Sequence, residues 1–170
     1  GKGEQWQQAL SLLNEMRQAK ESPDTISYNA GIGACETSGQ WLQALSLLGW
    51  MQDAALELDV ISYNAGLGAC KRGKQWQRVL SLFREIWEVK LEPDVTSYNA
   101  GMSACNSGRQ WQRALSLLSE MLVEKLDPDV KSYSIGISAH QRGRRWERAM
   151  SLLRDMREAK LEPDVISYNT

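Results

Sequence analysis

Apolar side chains return along this chain at helical spacing, and the spacing itself returns every 35 residues. In the copy that runs from Val60 to Asp94, Tyr63, Leu67 and Cys70 fall at i, i+4 and i+7, one face of a first helix. Trp76, Val79, Leu80, Phe83 and Ile86 fall at i, i+3, i+4, i+7 and i+10, one face of a second. The phrase Ser-Tyr-Asn-Ala-Gly marks each first helix: Ser27 to Gly31, Ser62 to Gly66, Ser97 to Gly101, and in altered form Ser132 to Gly136. It opens once more at Ser167, Tyr168 and Asn169.

Polar punctuation closes the helices. Asp24, Asp59, Asp94, Asp129 and Asp164 stand just before the first-helix pattern, where an N-cap acceptor is wanted. Gly3, Gly73, Gly108 and Gly143 stand where a left-handed residue can end a helix and turn the chain, a task that falls to Ser38 or Gly39 in the first full copy. Each copy is therefore a helical hairpin. A hairpin cannot bury its apolar face alone, and its neighbours must stack on it. The fold class expected is all-α, a right-handed α-solenoid of stacked helical hairpins.

Its units are a partial repeat with a second helix only (1–24), full repeats at 25–59, 60–94, 95–129 and 130–164, and the start of a further repeat at 165–170. The core is expected to hold Tyr63, Trp76, Leu80 and their equivalents. Gly31, Gly66, Gly101 and Gly136, with Gly33 and Gly68, sit inside helices, where each costs about 1 kcal/mol relative to Ala. That repeated cost predicts close approach of first helices to their neighbours. Both ends read as cut within a repeat and lack a polar cap, so apolar surface is expected there, covered by further repeats or a partner.

Composition narrows the classes. The chain is 42% hydrophobic and 24% charged, as folded proteins are, and its net charge of -1 supplies no overall field to hold a polyanion. No apolar run reaches the roughly 18 residues of a membrane span, and Gly1 to Gln5 lacks the segments of a signal peptide. Cys35, Cys70 and Cys105 share one repeat position with His140. Equivalent positions on stacked helices lie about 8–10 Å apart, too far for one zinc ion or a disulfide. They read as buried thiols, with no metal and no cofactor. No set of nucleophile, base and orienting group is present, so the chain is not expected to be an enzyme.

Asn29, Asn64, Asn99 and Asn169 are not explained by packing. Asn is a poor helix former, yet it recurs in the first helix beside the core tyrosine without sharing its face. Ile61 and Asn64 are i and i+3 and share a helix face, and the aspartate before each first helix lies at the same end. Stacking turns these positions into a ladder, with one rung per repeat along an open inner wall.

On the Val-x-Ser-Tyr-Asn opening, the Ala-Leu-Ser-Leu-Leu second helix, the methionine after it (Met51, Met121, Met156) and the closing Pro-Asp, the whole chain resembles the pentatricopeptide repeat family. That resemblance implies recognition of single-stranded RNA, one base per repeat. It assigns base reading to the fifth and last residues of each unit: Asn29 with Asp59, Asn64 with Asp94, Asn99 with Asp129, and Ser134 with Asp164. It assigns base clamping to Ile26, Ile61, Thr96, Lys131 and Ile166, and phosphate contact to Arg72 and Arg142. In the family, Asn with Asp favours uracil and Ser with Asp leans to guanine, so the implied tract is three uracils and a purine. The resemblance also implies an organellar setting, chloroplast or mitochondrion, and a role in RNA stability, processing or translation. A second use of the same fold, a scaffold that binds protein partners, is the alternative.

Overall fold

The computed structural model describes residues 5–19, 21 and 23–162. Among them are nine α-helices and no strand: α1 (Gln5–Gln18), α2 (Thr25–Ser38), α3 (Trp41–Asp53), α4 (Val60–Arg72), α5 (Trp76–Glu88), α6 (Val95–Ser107), α7 (Trp111–Val123), α8 (Val130–Arg142) and α9 (Trp146–Glu158). The chain divides between Glu92 and Pro93 into two compact units. In the first, α2 packs on α1, α3 and α4, and α4 also packs on α3 and α5. In the second, α8 packs on α6, α7 and α9, and α6 packs on α7. Within the units, α2, α4 and α8 thus each lie against their own second helix and against the helices that precede them.

The first-helix stripe is buried as the spacing predicts: Tyr63, Leu67 and Cys70 are fully buried in α4, and Tyr98, Met102 and Cys105 in α6. The second-helix stripe is shifted from the expected one. Val79, Leu82, Phe83 and Ile86 form the buried face of α5, while Trp76 and Leu80 are half-buried and Trp146 is 70% exposed. Trp41, Trp76, Trp111 and Trp146 are not core residues. Each begins its helix, and the rings of Trp41 and Trp111 lie along the next hairpin's turn, against Gly73 and Gly143. Arg145 also covers the Trp111 ring, 5.1 Å from its centroid.

That packing corrects the expected role of these glycines. Gly73, Gly108 and Gly143 have φ of -72°, -77° and -79°. The left-handed residue is the next one: Lys74, Arg109 and Arg144, with Gly39 in the first full copy. Gly3 lies outside the described residues. At Gly73 an added Cβ would overlap the Trp41 ring, with Cγ only 2.9 Å away. A Gly→Ala change at an allowed φ ordinarily stabilises by about 0.4–1 kcal/mol. Here Gly73→Ala must expel the indole, and overpacking of this kind costs about 1–3 kcal/mol. The variant is expected to lower the urea midpoint; a raised midpoint would show that the indole moves aside freely.

Most of the interior glycines described mark close approaches of a first helix to its neighbours. A Cβ at Gly66 would lie 2.6 Å from Leu48 Cδ1, and one at Gly136 would lie 2.7 Å from Leu118 Cδ2. Both leucines come from the preceding hairpin's second helix. Gly68 does face a neighbouring first helix, because the Glu36 side chain of α2 fills its space, whereas nothing approaches Gly33 within 4 Å. On the first and last helices of the described chain, Leu12, Trp146 and Met150 are exposed.

Candidate functional site

Each first helix starts on its aspartate. Asp24, Asp59, Asp94 and Asp129 accept the N–H of Ser27, Ser62, Ser97 and Ser132, each at 2.8 Å. The cap fixes one carboxylate oxygen at the mouth of every hairpin. One turn into the helix come the residues expected to read bases.

In the second unit the Asn99 amide nitrogen donates to Asp129 Oδ1 at 3.0 Å, and Ser132 Oγ lies 2.8 Å from Asn99 Oδ1. Burial pulls the Asp129 carboxyl upward, but the Ser132 amide and hydroxyl and the Asn99 amide outweigh it and hold its pKa below the ordinary value. In the first unit Asp59 is held low in the same way, by Ser62 and by a hydrogen bond from Asn29. The structure therefore joins the fifth and last residues of a copy directly in both units.

These side chains are more recessed than an open wall implies. Asn29 and Asn64 are half-buried, while Asn99 and Ser134 are only 3% and 5% exposed. Asn99 is drawn in by its bonds to Asp129 and Ser132, and the Ser134 hydroxyl turns back to the Val130 carbonyl at 2.7 Å. The second position does stand out: Ile26 and Ile61 are 77% and 68% exposed, and Thr96 and Lys131 are exposed too. Arg72 and Arg142 are exposed at the last turns of α4 and α8. Asp164 and Ile166 lie outside the described residues.

Asp129, Lys131 and Ser134 meet in one groove of about 750 Å³, which Ser103 and Asn106 of α6 and Ile135 and Ser138 of α8 help to line. Asn106 donates to Ser138 Oγ at 3.0 Å, and its carbonyl oxygen is buried without a partner. None of these four residues was marked by the sequence. The serine before each tyrosine recurs in the sequence, where nothing marks its hydroxyl for a role.

Cys35, Cys70 and Cys105 are buried, and burial raises each thiol from 9.0 to about 11. His140 is half-buried; burial, then Arg145 and Arg148, lower its pKa. Among the described residues no group of three His, Cys, Asp or Glu could hold a metal, and no helix is long and apolar enough to cross a membrane.

Family models match in three places: a pentatricopeptide repeat domain at residues 46–107, the PPR repeat family at 93–142 and a PPR repeat at 132–161. No curated protein matches the sequence. Among solved structures, the PPR domain of Arabidopsis thaliana protein-only RNase P 1, in complex with tRNA, superposes with a TM-score of 0.85 at 11% identity, over 96% of this chain and 86% of that one. The pentatricopeptide repeat protein PPR10, in complex with an 18-nt psaJ RNA element, superposes at 0.76 with 18% identity over 93% of this chain. PPR10 from maize superposes at 0.70 with 24% identity over 98% of this chain. This chain spans 23% of the length of PPR10 in its RNA complex. These likenesses show the fold, an all-α solenoid of helical hairpins.

Proposed function

Because the chain belongs to the pentatricopeptide repeat family, we propose that it binds single-stranded RNA, one nucleotide to each of the repeats at 25–59, 60–94, 95–129 and 130–164. Asn29 with Asp59, Asn64 with Asp94 and Asn99 with Asp129 each read a uracil, and Ser134 with Asp164 reads a purine. A base edge meets the amide and the carboxylate together. Uracil offers a ring N–H to a carboxylate oxygen and a carbonyl to the amide N–H, whereas cytosine turns a lone pair toward the carboxylate.

Ile26, Ile61, Thr96, Lys131 and Ile166 clamp the base faces. The exposure of Ile26 and Ile61 suits that role. Thr96 and Lys131 make poorer clamps, so the third and fourth nucleotides are held less tightly. Arg72 and Arg142 contact phosphates. The setting proposed is an organelle, chloroplast or mitochondrion, with a part in RNA stability, processing or translation.

The observation that carries this reading is the groove of the second unit, where an aspartate from the end of one copy converges with the second and fifth residues of the next. A bidentate base contact is worth about 1–3 kcal/mol. Asn64→Ala is therefore expected to weaken binding to a U-rich strand roughly ten-fold, measured by fluorescence anisotropy. Unaltered affinity would reject coded RNA recognition.

A further inference from the structure

The pair Asn99 and Asp129 is closed by a third residue from the following repeat. Ser132 Oγ lies 2.8 Å from both Asn99 Oδ1 and Asp129 Oδ1, and the backbone N–H of Asp129 points at it from 3.3 Å. A hydroxyl has one proton to give. Asp129 Oδ1 already receives the Ser132 N–H at 2.8 Å and the Asn99 amide at 3.0 Å. The carboxylate charge sets the amide with its NH2 end inward, since the reverse order would turn a carbonyl onto it. The Asn99 carbonyl then faces Ser132, and the hydroxyl proton satisfies it. Ser132 is fully buried and Asn99 nearly so, and such a network is strong in its low-dielectric surroundings.

The first unit supplies a contrast. Ser62 Oγ gives its bond to Asp59 Oδ1 at 2.7 Å, and Asn29 Oδ1 is buried with no partner. The N–H of each serine meets the aspartate that caps its helix, but of the two hydroxyls only that of Ser132 also holds an asparagine. An amide held only by its NH2 end keeps that order but can still swing about the one bond. Held at both ends it aims its free N–H in one direction, at a base edge that is a carbonyl in uracil and an amino group in cytosine.

We propose that Ser132 is a positioning residue for the third nucleotide, fixing the Asn99 amide so that the site separates uracil from cytosine. Specificity at one repeat therefore depends on a side chain of the next. The inference rests on the RNA reading above. Its test uses the whole chain and single-stranded RNAs containing U-U-U-G that differ only in U or C at the third base. Ser132→Ala is expected to reduce the ratio of affinities roughly five-fold, the worth of one hydrogen bond. Ser132→Thr, which keeps the hydroxyl, retains the ratio. Ser62→Ala loses a cap hydroxyl without freeing an amide carbonyl, and moves the first-site ratio less.

A uniform loss of affinity in Ser132→Ala with an unchanged ratio overturns the proposal and leaves RNA reading intact. Failure of the unaltered chain to bind either RNA overturns both. A second readout needs no RNA: the Asn99 side-chain NH2 protons exchange slowly with solvent in the unaltered protein and quickly in Ser132→Ala. Fast exchange in the unaltered protein overturns the arrangement whatever the variants do.

Discussion

Carrying the pH from neutrality to above about 11 is expected to unfold the chain cooperatively, because its buried thiols and phenols resist ionisation only while folded. Burial raises Cys35, Cys70 and Cys105 from 9.0 to about 11. Tyr63 rises from 10.0 to about 12, first through burial and then through its contact with Glu85. Tyr98 and Tyr133 shift in the same direction, burial again leading. For these acids the folded pKa lies above the unfolded one. Between the two values the unfolded chain has lost a proton that the folded chain keeps, so each rise in pH favours unfolding. The thiol contribution is whole below about pH 9 and lost by about pH 11, and the Tyr63 contribution is lost between about pH 10 and 12.

A change of this size at one fully buried thiol is worth roughly 2–3 kcal/mol. Against the marginal stability of an ordinary domain, about 5–15 kcal/mol, the loss at each thiol is a sizeable fraction. Urea midpoints followed by circular dichroism at successive pH values measure the effect. A flat profile across the thiol range would sink the argument. A variant with all three cysteines replaced by Ala should lose only the lower part of the slope.

Tyr63→Ala is the most damaging single substitution expected. The ring is fully buried in α4, and its hydroxyl donates to Glu85 Oε1 of α5 at 3.0 Å. That same oxygen accepts the Gln52 amide of α3 at 2.8 Å, so one tyrosine ties three successive helices. Removing a buried aromatic ring costs about 3–5 kcal/mol. Tyr63→Phe keeps the ring and leaves Glu85 with Gln52, so about 1 kcal/mol is expected. The two variants compared in urea separate packing from the hydrogen bond. If Phe costs as much as Ala, the hydroxyl rather than the ring holds α4 in place.

Much of the fold is legible in the chain because much of it is local. The positions of Tyr63, Leu67 and Cys70 follow from the helical repeat, and the Asp caps follow from unpaired N–H groups at each helix start. Legibility fails where a partner comes from another hairpin. Leu80 and Leu82 are two residues apart on one amphipathic helix, and only the seating of α5 on α4 decides that Leu82 is the buried one. Gly73 looks like a left-handed stop, yet the ring of Trp41 requires it and Lys74 takes the turn.

The candidate site divides in the same way. The spacing of Asn and Asp puts an amide and a carboxylate at one end of the hairpins at 25–59, 60–94 and 95–129, with Ser134 in place of the amide in the next. Whether an Asn stands open or is drawn inward is not a property of its own repeat. Asn99 is nearly buried because Ser132, from the first helix of the next repeat, reaches its carbonyl, while the equivalent Asn29 oxygen has no such partner. By itself the sequence determined the helices, their aspartate N-caps and their recurrence as hairpins, since helical periodicity and capping act over a few residues. Only the tertiary structure decided which side chains meet across repeats, because a shift of an ångström between packed helices makes or breaks a hydrogen bond.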